Sequence, residues 1–148
     1  MFNRVKKHRS QFPEYFIDSR LEIKRCDYIE GLGVFAKEKI RTYELVESSP
    51  VILFDTSIFD DWLELSGVRH VIHEYPFSWP NGMAALSHGF GGLYNHSSEP
   101  NLVFSVNEKL RSVEFTAKKD IAPGDELFIK YTGDDKLWFE SKNKKKHS

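Results

Sequence analysis

The sequence contains little cysteine, no long apolar run and almost no net charge, and each shortage excludes a class of protein. Cys26 is the single cysteine among 148 residues, so one chain can form neither a disulfide nor a cysteine-built zinc cluster. No apolar stretch approaches the roughly 18 residues of a membrane helix, and the first residues lack the apolar core of a signal peptide. The formal net charge of -1 gives the chain no strong electrostatic field that would attract nucleic acid or an anionic membrane. We therefore expect an intracellular protein, cytoplasmic or, in a eukaryote, nuclear, that binds neither.

The remaining composition is that of one globular domain with many short strands. Hydrophobic residues make up 40% of the chain and aromatic residues 14%, which is enough for one substantial core. A polar segment at residues 107–109 separates two apolar runs and predicts a hairpin, and glycines at 31 and 33 predict a turn. Strands are predicted over Leu21–Arg25, Val34–Ala36, Leu45–Val46, Val51–Phe54, Leu102–Val106, Arg111–Thr116 and Glu126–Tyr131.

One helix is predicted over Thr56–Leu65. Thr56 can cap its N-terminus, and Ile58, Trp62 and Leu65 share one face. Beyond it, prolines at 76 and 80 exclude a continuous helix or a central strand. The pattern alone predicts a β-rich single domain and leaves its topology open.

Three segments carry residues that could do chemistry. The glycines of Gly31-Leu32-Gly33 let the backbone approach another segment or a flat ligand, although no helix follows as in a dinucleotide-binding loop. Asn95-His96-Ser97 places polar groups among apolar neighbours, which indicates a ligand cavity, a hydrogen-bond network or a capped turn. Tyr131 ends a predicted strand, where a tyrosine is ordinarily a half-buried packing residue.

Together these segments resemble the SET-domain protein lysine methyltransferases. Gly31-Leu32-Gly33 matches the family's Gly-x-Gly, and Asn95-His96-Ser97 with Pro100-Asn101 matches its signature with the spacing intact. Gly124–Tyr131 is similar to the strand that ends in the family's catalytic tyrosine. The resemblance implies a mainly β SET fold of short strands, of the β-clip type, with a threaded C-terminal pseudoknot, which Asn101 helps to tie, and one or two short helices.

The resemblance also implies the activity and the site. The activity is transfer of a methyl group from S-adenosylmethionine to the ε-amine of a lysine in a protein or peptide. Tyr131 is implied as the catalytic residue. The implied cofactor-binding residues are Gly31, Leu32, Gly33, Tyr94, Asn95, His96 and Trp138. The implied substrate channel contains Ile129, Tyr131 and Phe139, and no metal is expected.

Four positions depart from the family pattern. Glu30 stands where a basic residue usually precedes the first glycine, and Tyr43 stands where a later turn usually has glycine. Ser98 replaces a cysteine that contributes to zinc binding in many relatives, and Lys130 replaces a more frequent acidic residue. The loss of that cysteine predicts a compact, zinc-free member of the family. A metal site built from the histidines at 70, 73, 88 and 96 is disfavoured, because residues three apart on an extended chain face opposite sides.

We expect an N-terminal extension over 1–18, a SET domain over 19–140 with an insert at about 55–85, and a Lys-rich tail over 141–148. Two other functions stay open at this point. One is a catalytically silent module that binds S-adenosylmethionine or a lysine-containing peptide. The other is a small protein-interaction domain. An aromatic-rich surface would also permit a homodimer, whichever function applies.

Overall fold

Two sheets of short strands form the computed structural model, which describes residues 14–58 and 75–131. A short 3-10 helix spans Phe90–Gly92, and Ser57 and Ile58 are helical at the edge of the first described range. In chain order the strands are β1 (Phe16–Ile17), β2 (Leu21–Arg25), β3 (Leu32–Ala36), β4 (Leu45–Asp55), β5 (Phe77–Trp79), β6 (Met83–Ser87), β7 (Asn95–His96), β8 (Leu102–Asn107), β9 (Ser112–Ala117) and β10 (Glu126–Ile129). This content confirms the predicted mainly β fold class. No helix within the described ranges has the length and apolar character needed to cross a membrane.

The larger sheet has the strand order β5-β6-β4-β9-β8, with β1 paired to β4 as well, and all its pairings are antiparallel. Strands β8 and β9 form the predicted hairpin. β4 is one strand of 11 residues, whereas the sequence predicted two short ones. Its first half pairs with β9 and its second half with β6. Pro50 lies where the partner changes, a position at which a strand tolerates the missing N–H.

The smaller sheet has the order β2-β3-β10-β7 and holds β10, the last strand within residues 14–58 and 75–131, in its interior. β10 runs antiparallel to β3 and parallel to β7, whose two residues lie beside Phe128 and Ile129. Just beyond β7, the N–H of Ser97 donates to the carbonyl of Ile129 at 2.9 Å. The signature segment therefore pairs directly with β10, the last strand of the described residues, as the resemblance implied.

Asn101 continues this tie beyond β7. Its amide nitrogen donates to the carbonyl of Glu126, and its amide oxygen accepts from the N–H of Phe128, both at 2.8 Å. The side chain is buried, with 8% exposure. One amide thus replaces two ladder hydrogen bonds that β10 would otherwise need from a neighbouring strand.

Residues of both sheets share one apolar core. Val34 and Leu127 of the smaller sheet belong to the same buried cluster as Val46 and Phe115 of the larger one. The Phe115 ring lies 4.7 Å from the Tyr94 ring, centroid to centroid. Six polar or charged residues are buried in the described part of the chain: Glu47, Ser48, Ser49, Asn101, Ser112 and Glu126. Since a buried polar group is costly without partners, these residues indicate where the fold holds a particular geometry.

The departure at Tyr43 concerns a surface turn. Tyr43 has a φ of 71°, in the left-handed region, and is 85% exposed. Its N–H donates to the carbonyl of Ala117 at 2.8 Å. A glycine is favoured in such a conformation because it has no Cβ, and a tyrosine strains the turn by roughly 1 kcal/mol.

Several predicted features lie outside the described residues. They are the N-terminal extension up to residue 13, most of the Thr56–Leu65 helix, His70 and His73, and everything after Tyr131, including Trp138, Phe139 and the Lys-rich tail.

Candidate active site

A cavity of about 310 Å³ lies beside the glycine segment, the 3-10 helix and the end of β10. Its volume falls within the range of small-molecule sites. Four of the predicted site residues, Gly31, Leu32, Asn95 and Tyr131, line it together. The rest of the lining consists of Ile29, Glu30, Tyr75, Gly92 and Leu93.

Tyr131 is fixed at both its backbone and its hydroxyl. Its N–H donates to Nδ1 of His96 at 2.8 Å, and its hydroxyl donates to the backbone carbonyl of Tyr94. The rings of His96 and Tyr131 lie 5.4 Å apart. Because Nδ1 accepts a hydrogen bond, a neutral His96 carries its proton on Nε2. His96 of the signature segment and Tyr94 just before it therefore set the position of the tyrosine together.

The two predicted glycines have different surroundings. Gly31 is exposed, and a Cβ placed there would meet only Ile29, at 3.7 Å, so its backbone is open to the cavity. Gly33 is buried, and a Cβ there would overlap Oε1 of Glu126 and approach Cys26 Sγ to 2.9 Å. Gly33 is thus required by close packing against Glu126, and its contact with a cofactor stays a prediction.

The Glu126 carboxylate anchors the loop between β2 and β3. The Cys26 thiol donates to Oε1 at 3.0 Å, and the Tyr28 hydroxyl donates to Oε2. Asn95 Nδ2 donates to the carbonyl of Leu32 at 3.0 Å and contacts Cys26 Sγ at 3.4 Å. Desolvation, followed by the Glu126 carboxylate, raises the pKa of the Cys26 thiol and of the Tyr28 hydroxyl. Both groups therefore remain protonated donors at neutral pH and hold the loop in place.

Tyr94 is fully buried and points away from the cavity. Its hydroxyl donates to Oε1 of Glu47 at 2.7 Å, and Oε2 of Glu47 accepts from the N–H of Phe90 at 2.7 Å. Burial raises the pKa of Glu47, while the hydrogen bonds from Tyr94 and Phe90 act in the opposite direction. Burial and the nearby Glu47 carboxylate raise the pKa of Tyr94 well above its usual range. The Tyr94 hydroxyl is therefore a permanent donor to Glu47.

Replacing Glu47 by glutamine should flatten the pH dependence of folding stability in weakly acidic solution. Because burial raises the pKa of Glu47 above its ordinary value of 4.5, the folded chain holds this proton more tightly than the unfolded chain. The resulting stabilisation is complete below pH 4.5 and is lost as the pH rises through the folded-state pKa. In urea denaturation at a series of pH values, the free energy of unfolding of the wild type should fall relative to that of Glu47→Gln as the pH rises, because glutamine does not titrate.

Asp18 provides the control because its pKa is shifted the other way. The side-chain hydrogen bond from Arg20 lowers the pKa of Asp18 below 3.8. Its contribution to stability is present above pH 3.8 and is lost as the pH falls through the folded-state pKa. Over the pH range in which Glu47 titrates, the free energy of unfolding of Asp18→Asn should therefore change with pH in the same way as that of the wild type. If the free energy of unfolding of Glu47→Gln also followed that of the wild type over this pH range, the buried carboxylate would not be the titrating group.

The other predicted positions lie around the cavity or in the core. Ile129 is 2% exposed and belongs to the core cluster, while His96, Ser98 and Lys130 are exposed. Among the described residues that line the cavity, Glu30 is the charged one. Within residues 14–58 and 75–131, no group of three or more His, Cys, Asp or Glu residues could hold a metal ion.

Sequence reasoning missed Glu47, Cys26, Tyr28 and Glu126 as supports of the site. Glu47 falls between two predicted strands, so its burial is invisible until β4 is known to be continuous. A carboxylate in an otherwise apolar strand was the available signal for Glu126.

A model of the SET domain family matches residues 31–132. The chain is also 33% identical over 124 residues to the H3 lysine-37-specific histone-lysine N-methyltransferase of Schizosaccharomyces pombe, across 84% of this chain and 80% of that protein.

Solved structures give the same result for the fold. A candidate histone methyltransferase of Plasmodium falciparum superposes with a TM-score of 0.57 at 26% identity, covering 76% of this chain and 97% of that one. Autoinhibited ctPRC2 bound to S-adenosylmethionine superposes with a TM-score of 0.66 at 22% identity, covering 87% of this chain and 17% of that one. Because the family match spans more than half of the chain and the fission yeast relative aligns with most of it, this chain belongs to the SET domain family and is an enzyme that transfers a methyl group from S-adenosylmethionine to protein lysine.

Proposed function

We propose that Tyr131 and the segments around the cavity form the methyl-transfer site, and that the protein substrate is histone H3. One observation carries the site proposal. The Tyr131 hydroxyl is held by the Tyr94 carbonyl, while Tyr131 itself lines a cavity that Gly31, Leu32 and Asn95 also line. These elements come from three distant parts of the chain, and the fold brings them to one place.

The residues around the cavity suit S-adenosylmethionine. The open backbone at Gly31 allows close approach of a ligand, and Ile29, Leu32 and Tyr75 offer apolar surface to an adenine ring. The Glu30 carboxylate suits a ligand with positive charge. When bound, S-adenosylmethionine supplies an electrophilic methyl group on a positively charged sulfur. Gly33, His96 and Trp138 complete the proposed cofactor-binding set, to which Tyr94 can contribute only through its backbone because its side chain lies in the core. Ile129 and Phe139 complete the proposed substrate channel, with Trp138 and Phe139 outside the described residues.

In this proposal Tyr131 orients the lysine amine. Its hydroxyl donates to the Tyr94 carbonyl, so its oxygen can accept a hydrogen bond from the amine. A tyrosine hydroxyl, with an ordinary pKa of about 10, is too weak an acid to supply a resting base. Tyr131 therefore contributes alignment of the nucleophile, which is the larger task in an in-line displacement.

The amine must also lose a proton before it attacks. Free lysine has a pKa of about 10.4, so the neutral form near pH 7.4 is about a thousandth of the population, a cost of roughly 4 kcal/mol. A cavity that excludes water disfavours the ammonium form. The apolar side chains of Ile29, Leu32 and Leu93 in the cavity lining would contribute to that exclusion without a dedicated base.

The fission yeast relative supports histone H3 as the substrate, since that protein is specific for H3 lysine-37. The Glu30 carboxylate at the cavity is compatible with a basic peptide segment. A nuclear location follows from a histone substrate. A homodimer and the absence of nucleic-acid binding remain predictions.

Mass spectrometry of histones treated with the protein tests this proposal. Full-length H3 incubated with the enzyme and S-adenosylmethionine should gain one or more methyl groups on a single lysine, and H3 with that lysine replaced by arginine should gain none. Histone H4 serves as the control. Methylation of H4 with no methylation of H3, either free or in nucleosomes, would reject H3 as the substrate while leaving lysine methylation intact.

A further inference from the structure

Glu47 is a buried carboxylate to which the proposed chemistry assigns no task. Its exposure is 0%, on strand β4 in the middle of the larger sheet. Burying a carboxylate costs several kcal/mol of desolvation unless it is well paired, and an apolar side chain would pack β4 without that cost. A carboxylate at this position therefore suggests that its hydrogen bonds hold a geometry that an apolar residue could not.

The two oxygens of Glu47 bind the two ends of one short segment, Phe90–Tyr94. Oε2 accepts from the N–H of Phe90 and Oε1 from the hydroxyl of Tyr94, each at 2.7 Å. Between these ends, the N–H of Leu93 donates to the carbonyl of Phe90 at 2.8 Å and closes the turn. The carboxylate and this internal bond together fix the segment as a unit.

The chain is shaped to admit this carboxylate. A Cβ at Gly89 would overlap Oε2 of Glu47 and lie 2.7 Å from Oγ of Ser49. A glycine directly before the segment thus leaves the space that the carboxylate occupies. The arrangement needs Gly89, Glu47 and Tyr94 together, which argues against a chance contact.

The same segment forms one wall of the active site. Gly92 and Leu93 line the cavity, and the Tyr94 carbonyl accepts the hydrogen bond of the Tyr131 hydroxyl. A continuous chain of contacts therefore runs from Glu47 through Tyr94 to Tyr131. The Tyr94 side chain points into the core, so it can act on the reaction only through the place of its own carbonyl.

We propose that Glu47 is a positioning residue for methyl transfer, which sets the place of the Tyr94 carbonyl oxygen and through it the Tyr131 hydroxyl. This inference rests on the proposed role of Tyr131. It assigns Glu47 to the catalytic step and not to cofactor affinity. A misplacement of about 1 Å at a reacting group can cost about 100-fold in rate, so a small shift of this carbonyl is sufficient for a measurable effect.

Tyr94→Phe tests the inference because it removes the hydroxyl that binds Glu47 and keeps the ring and the carbonyl. At saturating cofactor and H3, kcat should fall about 10-fold, while the Kd for S-adenosylmethionine from calorimetry changes less than about 3-fold. Glu47→Gln retains one acceptor oxygen and should lose less kcat than Glu47→Ala. If Glu47→Ala does not fold, Tyr94→Phe alone decides.

Ser112→Ala is the matched control. The Ser112 hydroxyl is buried in the same sheet and accepts a hydrogen bond from Ser48, the residue after Glu47, at 3.2 Å. Its removal therefore also breaks a buried hydrogen bond of β4. Ser112→Ala should lower Tm and leave kcat unchanged. An equal loss of kcat in Ser112→Ala would overturn the inference, and so would a Tyr94→Phe kcat within about twofold of wild type while Tyr131→Phe is inactive. An active Tyr131→Phe would instead reject the proposed role of Tyr131 itself.

Discussion

Tyr131→Phe should lower kcat for lysine methylation by about 100-fold or more, with the Kd for S-adenosylmethionine within about 3-fold of wild type. The substitution removes the hydroxyl that the Tyr94 carbonyl holds and keeps the ring that packs beside His96. The backbone bond from Tyr131 to His96 is also kept, so the end of β10 should stay in place. Methyl transfer from labelled cofactor to H3, at saturating concentrations of both, measures kcat, and calorimetry measures Kd.

Tyr15→Phe provides a matched control for this result. The Tyr15 hydroxyl also donates to a backbone carbonyl, that of Leu110 in the turn between β8 and β9. Neither residue lines the cavity. Turnover of Tyr15→Phe should equal that of wild type. If Tyr131→Phe turned over as fast as Tyr15→Phe, the hydroxyl would have no part in orienting the amine.

The strands that the sequence predicted best are those with a complete local signal. The β8–β9 hairpin has two apolar runs around a polar segment, so short-range pattern was sufficient. The pattern also gave β2 and β3, but Gly33, which was predicted in the turn, lies within β3. β4 was divided in two because its pattern changes at Pro50, where the strand exchanges β9 for β6. That exchange depends on residues more than thirty positions away along the chain, which no local pattern contains.

The two-residue strand β7 is a clearer case of a strand that local sequence pattern does not predict. Asn95 and His96 have no strand pattern, and they form a strand because β10 lies parallel to them. The resemblance to a known family implied that this segment is threaded at the C-terminal strand but not that it forms a strand itself. The residues alone left the segment open between a ligand cavity, a hydrogen-bond network and a capped turn. The structure contains the first two of these features, since Asn95 lines the cavity and Nδ1 of His96 accepts from Tyr131.

Supporting residues were the least predictable part of the site. Gly31 and Gly33 look equivalent in sequence, yet one faces open space and the other is pressed against Glu126. Glu126 itself is 8% exposed and takes donors from Cys26 and Tyr28, about a hundred positions earlier in the chain. Sequence motifs identify the residues that contact the ligand. The residues that hold them in position are determined by packing between distant parts of the chain.

Asn101→Ala should lower the free energy of unfolding by about 3 kcal/mol, because it removes the partner of one buried and one part-buried backbone group of β10. Those groups are the carbonyl of Glu126 and the N–H of Phe128, which the Asn101 side chain satisfies at 2.8 Å each. Asn101→Asp can accept from Phe128 but, when ionised, cannot donate to Glu126, so it should lose part of this stability. Urea denaturation at constant pH measures both changes.

Asn107→Ala separates this effect from the general cost of losing an asparagine. The Asn107 side chain also makes two hydrogen bonds, donating to Glu114 and accepting from the N–H of Leu110, but it does so in the part-buried turn of the β8–β9 hairpin. Water can replace these partners there, so the loss should be about 1 kcal/mol or less. Equal losses of free energy of unfolding for Asn101→Ala and Asn107→Ala would mean that the Asn101 hydrogen bonds to β10 stabilise the fold no more than those of a part-buried turn asparagine. A larger loss for Asn101→Ala, with lower turnover under conditions in which the variant is fully folded, is expected because Tyr131 follows β10 and depends on its register.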